Sequence, residues 1–154
     1  MKPKDTHIGQ PIHLISVTSK NRLRLPKAIC DRISWLEGDV ELDCLGVAVD
    51  VGKVELHGPA RLHELIENLE LIDKRDEETL EIVDARYSSI HISGEDRRLS
   101  YSSFLRIHLA DQTAAGEFVA TTSFSGEYLS LMTPTFFRGL ARKMTSHSDL
   151  SNLP

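Results

Sequence analysis

The stretch that decides the fold runs from Val17 to Ile29 and reads VTSKNRLRLPKAI. Its first residue completes an apolar, β-branched segment that begins at Ile12, which predicts a strand. The next four residues favour a turn, and the RLRL segment then alternates polar and apolar side chains. We therefore expect a β-hairpin whose second strand packs Leu23 and Leu25 inward.

A short helix and further strands are expected to complete this first unit. Pro26 suits the first position of a helix, and Ile29 and Ile33 follow at i, i+4 spacing, which predicts a helix over residues 26–34. The next expected elements are a turn at Glu37-Gly38-Asp39 and strands over residues 40–44, 47–51 and 54–56.

Two amphipathic helices are predicted to follow the break at Gly58-Pro59. Apolar residues recur at helical spacing from Leu62 to Ile72, with glutamates on the other side. Asp76 can cap the second helix, whose Leu80 and Val83 would face inward. We expect the acidic faces of both helices to be solvated.

The pattern of the first unit restarts after Tyr87. A shift of 76 residues aligns Arg22 with Arg98, Leu23 with Leu99, Leu25 with Tyr101, Ile29 with Leu105 and Ile33 with Leu109. The run Ser100, Ser102 and Ser103 is interpreted as turn and helix cap. The predicted layout is a first unit at 12–58, a helical connector at 59–86, a second unit at 87–133, a helix at 134–145 and a disordered tail at 146–154.

Positive charge is concentrated at one end of an acidic chain. The net charge is −5, yet residues 1–32 carry seven Lys or Arg side chains against two Asp. Residues 61–86 carry four basic and nine acidic side chains. The positive field thus coincides with the first hairpin, where a nucleic-acid partner would have to bind.

The segment from Val17 to Ile29, followed by Leu36-Glu37-Gly38-Asp39, resembles the SpoVT/AbrB domain. Two such units, joined by helices and closed by a C-terminal helix, are similar to the MraZ family of transcriptional regulators. This resemblance implies an α+β fold, a swapped-hairpin β-barrel of two diverged β-hairpin–helix–β units. It also implies DNA binding to repeated or palindromic sites and self-association as a dimer or ring.

The residues that match the family's Asp-x-x-x-Arg motif differ between the two units. In the first unit the Asp and Gly positions hold Thr18 and Asn21, while Arg22 remains. In the second unit Gly94 and Arg98 align, with Glu95 and Asp96 between them. Because acidic side chains repel phosphate, we expect the first unit to carry an asymmetric DNA surface.

The predicted DNA-binding residues are Lys20, Arg22, Arg24, Lys27 and Arg98. The first three share parity and would project from one exposed face, where arginine can make bidentate contacts with guanine. The alternative is an edge strand whose positive charge discourages aggregation. For Arg98, together with Arg97 and Arg106, solvated charge or an ion pair with Glu95 or Asp96 is the competing interpretation.

No motif for catalysis, metal binding or a cofactor occurs in the sequence. Cys30 and Cys44 lack zinc-like spacing and are expected to be small buried hydrophobes. Trp35 is expected in the core or at a subunit contact. Without an apolar leader or spanning segment, a cytoplasmic protein is expected. An antitoxin-like protein-interaction module that does not bind DNA remains the alternative function.

Overall fold

The computed structural model describes residues 12–36, 41–71, 76–94, 96–110 and 116–151. This part of the chain is α+β, with eight β-strands and five α-helices. The strands are β1 (Ile12–Ser16), β2 (Arg22–Arg24), β3 (Leu42–Asp50), β4 (Lys53–His57), β5 (Tyr87–Ser93), β6 (Arg98–Ser100), β7 (Glu117–Thr122) and β8 (Tyr128–Met132). The helices are α1 (Lys27–Cys30), α2 (Pro59–Glu70), α3 (Glu77–Arg86), α4 (Ser103–His108) and α5 (Pro134–Ser151), and a 3-10 turn covers Ser34–Leu36.

The eight strands form one antiparallel sheet in the order β1-β7-β8-β4-β3-β5-β6-β2. Its two end strands, β1 and β2, contact each other, so the sheet curls into a nearly closed barrel. Curling brings the inward side chains of all strands into one space and protects the backbone edges. The expected α+β barrel is therefore confirmed at this level.

Strands of the first unit pair with strands of the second. The hydrogen-bonded pairs β1–β7, β2–β6, β3–β5 and β4–β8 each join one strand from either unit. Two backbone bonds of equal length flank the β2–β6 pair, from Leu25 N to Arg97 O and from Tyr101 N to Asn21 O, both 2.9 Å. The 76-residue shift relates Leu25 to Tyr101 and Asn21 to Arg97, so it converts one of these bonds into the other. The two units are thus related by an approximate twofold axis through the β2–β6 pair.

One hydrophobic core serves both units. Leu23 and Leu99 lie directly opposite each other on β2 and β6, and both are fully buried. Leu25 and Ile29, which the sequence also placed inward, are buried in the same cluster, together with Phe118. This one cluster contains buried side chains of both units.

The longer helices cover the outside of the barrel. Helix α2 packs on β3, α3 on β3 and β5, and α5 on β7. Asp76 caps α3 as expected, since its carboxylate accepts from Thr79 N at 3.2 Å. None of the described helices is long and apolar enough to cross a membrane.

Four predicted elements differ in the structure. The strands expected at 40–44 and 47–51 are one strand, β3, because Gly46 continues the pairing with both β4 and β5. A side chain at Gly46 would meet Ile90 and Phe104, so this glycine allows close packing and does not form a turn. The first helix ends at Cys30 rather than at residue 34, and α5 continues to Ser151 rather than 145.

The predictions for β6 and α4 agree with the structure only in part, and a few others concern residues outside the described ranges. Ile107 on α4 is 71% exposed, whereas Leu105 and Leu109 are buried. Ser100 lies within β6, while Ser102 does cap α4 by accepting from Leu105 N. The turn at Glu37-Gly38-Asp39, together with Val40, Ile72, Glu95 and residues 152–154, lies outside the described residues.

Trp35 lies between the two units. It is half-buried, and its Nε1 donates a hydrogen bond of 2.7 Å to the carbonyl oxygen of Glu127. A Cβ at Gly58 would come within 2.7 Å of the Trp35 ring, so glycine is needed for this contact. The side chain therefore joins the first unit to the β7–β8 turn of the second.

Both cysteines are buried, as the sequence predicted. Burial raises the pKa of the Cys44 thiol to about 12 and also raises that of Cys30. The pKa of Cys44 in the folded protein exceeds the value of about 8.5 in the unfolded chain. The protonated thiol therefore contributes fully to the free energy of unfolding below about pH 8.5, and this contribution is lost as the pH rises towards about 12.

We expect folded Cys30→Ala protein to react with iodoacetamide at pH 8 roughly a thousandfold more slowly than unfolded protein, since the thiolate is the reactive species. Mass spectrometry of the Cys44 adduct over time measures both rates. Equal rates with and without guanidinium chloride would show that the thiol is accessible in the folded state.

Candidate nucleic-acid interface

The β2–β6 pair presents a basic outer face. Leu23 and Leu99 point into the core, so the residues on either side of them point outward. On β2 these are Arg22 and Arg24, both exposed. In the register, Arg24 lies opposite Arg98. Two arginines thus face each other across the strands at the approximate twofold axis.

The turn before β2 fixes the position of Lys20. Asn21 N donates to Thr18 O at 2.9 Å, and Arg22 N donates to Thr18 Oγ1 at 3.2 Å. Asn21 has a φ of 61°, in the left-handed region that asparagine tolerates better than most residues. Asparagine can therefore form this turn without a glycine. The side chain of Lys20 is exposed at the tip of this turn.

Lys27 extends the basic surface of the first unit. It is the first residue of α1 and is exposed, two residues beyond the buried Leu25. Within the described part of the chain, no carboxylate lies within ion-pair distance of any of the first unit's four predicted contacts. These four residues are Lys20, Arg22, Arg24 and Lys27.

The equivalent turn of the second unit has a different electrostatic character. Arg97, the counterpart of Asn21, also has a positive φ, of 50°. Its side chain is buried and its guanidinium donates a hydrogen bond of 2.6 Å to Leu36 O. The sequence grouped Arg97 with Arg98 on the surface, and this was wrong. It stabilises the junction between the units, so it is not a surface contact.

Arg98 makes the ion pair that was its competing interpretation. Its guanidinium lies 3.3 Å from the Asp96 carboxylate, and the two side chains are 39% and 54% exposed. A pair as exposed as this contributes little to stability, but it neutralises the positive charge opposite Arg24. Arg106 is also engaged: its Nε donates to Tyr101 O at 3.2 Å and its guanidinium lies 5.5 Å from the Tyr101 ring centre.

A second polar cluster lies on the outer face of β4 and β8. Glu55 accepts from His57 at 3.0 Å and pairs with Lys53 at 3.5 Å, while the His57 ring stacks on Tyr128 at 4.9 Å. The carboxylate is therefore already satisfied by two partners. Among the described residues, no group of three or more His, Cys, Asp or Glu side chains could hold a metal ion.

Sequence reasoning missed two features of the basic face. The pairing of Arg24 with Arg98 depends on the register between distant strands, for which local sequence gives no signal. Ser100, interpreted as part of a turn, lies opposite Arg22 on the same outer face. The 76-residue shift did contain a signal for this, since it aligns Ser100 with Arg24.

The fold and this face define an α+β protein with a nearly closed, eight-stranded antiparallel barrel that carries a basic two-stranded ribbon. Comparison with known protein families finds no family model that matches the chain, and no curated protein matches it either.

Proposed function

We propose that this protein is a DNA-binding transcriptional regulator whose barrel is of the swapped-hairpin kind found in the SpoVT/AbrB superfamily, in a tandem layout similar to MraZ. The observation that carries the proposal is the outward projection of Arg22 and Arg24, both exposed, on the two-stranded ribbon of β2 and β6. A ribbon of this kind fits the major groove of B-DNA.

The electrostatics of the ribbon support an anionic ligand. Arg22 and Arg24 are exposed, and within the described residues neither has a carboxylate at ion-pair distance. A phosphate oxygen near either guanidinium would accept charge-assisted hydrogen bonds. Lys20 and Lys27 lie on either side of β2 in the chain and are exposed, so they extend the same field.

The pairing of strands between the units supports the swapped-hairpin assignment. Every strand of the first unit is hydrogen-bonded to a strand of the second, and β2 pairs with its own counterpart β6. In a two-chain relative the same exchange would join two subunits. Here the tandem copy would close the barrel within one chain.

Self-association is part of the proposal. Ile12 and Leu14 on β1 are 58% and 63% exposed, an apolar outer surface that a neighbouring copy could cover. A few cationic contacts per chain give modest affinity. Several chains bound to repeated DNA sites would gain affinity through effective concentration.

Fluorescence anisotropy tests the proposal, with duplexes from the protein's own upstream region and scrambled duplexes of equal composition, each in a salt series. We expect preference for the native fragment and a log Kd that rises with log salt by about 0.9 per phosphate neutralised. Absence of binding to both duplexes near 50 mM salt, where phosphate contacts are strongest, would reject the proposal.

A protein-interaction module of the same fold is the second candidate. Helices α2 and α3 carry exposed glutamates on the outside of the barrel, among them Glu64, Glu67 and Glu81. This acidic surface suits a basic protein partner. Co-purification of such a partner from cells, in a preparation free of DNA, would favour this candidate.

A further inference from the structure

The ribbon's approximate twofold axis allows each outer residue to be compared with its counterpart. The axis passes through the opposed Leu23 and Leu99, which are related by the 76-residue shift. The same shift relates Arg22 to Arg98 and Arg24 to Ser100. One arginine is thus matched by an arginine and the other by a neutral side chain.

The residues that flank the ribbon differ more strongly. Lys20, at the tip of the first turn, corresponds to Asp96 in the second, so the charge is reversed. Lys27, at the start of α1, corresponds to Ser103 at the start of α4. The first half of the face therefore presents four cations, whereas the charge of Arg98 in the second half is offset by Asp96 at 3.3 Å.

We propose that the chain binds a non-palindromic DNA site in one fixed orientation, with its first half on the phosphate backbone and its second half held away from phosphate by Asp96. This inference rests on the proposed DNA-binding function. A backbone that is nearly twofold symmetric would otherwise present the same surface to both halves of a palindrome.

The charges set the direction of this preference. A phosphate near Lys20 gains a cation and releases a counterion. A phosphate at the equivalent place in the second half would meet the Asp96 carboxylate, which is 54% exposed. Like charges at such short range repel, and Arg98 is engaged by the same carboxylate. The second half thus acts against the wrong orientation of the chain on DNA.

Alanine at the two equivalent positions provides the test. The probe is the duplex recovered by selecting wild-type protein on a pool of random-sequence duplexes, and binding is measured by anisotropy at 0.1 M salt. We expect Lys20→Ala to weaken binding by about eightfold, the factor that one phosphate contact contributes at this salt from a slope of 0.9. Asp96→Ala is expected to strengthen binding, because it frees Arg98 and removes the repulsion.

A third variant, Asp96→Lys/Ser100→Arg, gives the second half three of the four cations of the first, and only Lys27 keeps a neutral counterpart, Ser103. We expect its salt slope to steepen by about 2.7, from the two added cations and the freed Arg98, and its selected duplex to become close to palindromic. Urea denaturation of every variant checks that the fold is retained. We expect it to be retained, because the substituted side chains are exposed.

The outcomes separate the two proposals. If wild-type protein selects no duplex, the DNA-binding function and this inference both fail. If the selected duplex is a palindrome that binds a single wild-type chain, or if Asp96→Ala weakens binding as much as Lys20→Ala, the chain binds DNA symmetrically. The inference is then overturned while the DNA-binding function stands.

Discussion

Leu23→Ala is expected to lower the free energy of unfolding by about 2–5 kcal/mol, the range for removing a buried leucine side chain from a packed core. Leu23 is fully buried and faces Leu99 across the twofold axis. Its strand has three residues and is hydrogen-bonded to β6 alone among the described strands. Little else therefore holds this end of the sheet, and collapse of the cavity would displace Arg22 and Arg24.

Urea denaturation followed by the fluorescence of Trp35, the single tryptophan, measures this loss. Trp35 packs on Gly58 and bonds to Glu127, so its emission reports on the junction of the two units. Leu71→Ala is the matched control. Its side chain is 85% exposed, so we expect a change of less than about 0.5 kcal/mol. Equal losses in the two variants would contradict the assignment of Leu23 to the shared core.

The inward and outward residues of the first hairpin were predictable because they depend on local alternation. A strand places successive side chains on opposite faces, which is enough to bury Leu23 and to expose Arg22. The 76-residue repeat was also visible in the sequence, and it correctly aligned Arg22 with Arg98. These features need no knowledge of which strands pair.

Features that depend on long-range contacts were not predictable in this way. Gly46 separates the two strands that the sequence predicts at 40–44 and 47–51. In the structure it lies within one strand, where Ile90 and Phe104 leave no room for a side chain. Arg97 looked like a surface cation, and only the position of the Leu36 carbonyl shows why it is buried. The distance in sequence between these partners hides them from any local pattern.

The candidate site also combines features that local sequence predicts with features that depend on long-range contacts. Lys20, Arg22, Arg24 and Lys27 were proposed from the sequence and are all exposed in the structure. The acidic residues beside Arg98 predicted that this charge is asymmetric, but local sequence could not show which side chains face each other across the strands. The pairing of Arg24 with Arg98 and the ion pair of Arg98 with Asp96 follow from the register of β2 on β6 and from the geometry of the second turn.

Arg22→Ala/Arg24→Ala is expected to weaken DNA binding by about 60-fold at 0.1 M salt and to flatten the salt slope by about 1.8, the effects of losing two phosphate contacts. Stability should not fall with affinity. Both side chains are exposed and make no ion pair within the described residues. The thermal midpoint should therefore be unchanged.

Arg61→Ala/Arg86→Ala is the matched control, since it removes two exposed arginines and the same net charge from α2 and α3. If the affinity depends on the total charge of the protein, both double variants will bind DNA equally weakly. If the affinity depends on the ribbon, Arg22→Ala/Arg24→Ala alone will bind more weakly than wild-type protein. Loss of affinity without loss of stability would identify Arg22 and Arg24 as contacts to DNA. Unchanged affinity in the folded ribbon variant would leave the acidic helices as the surface to investigate.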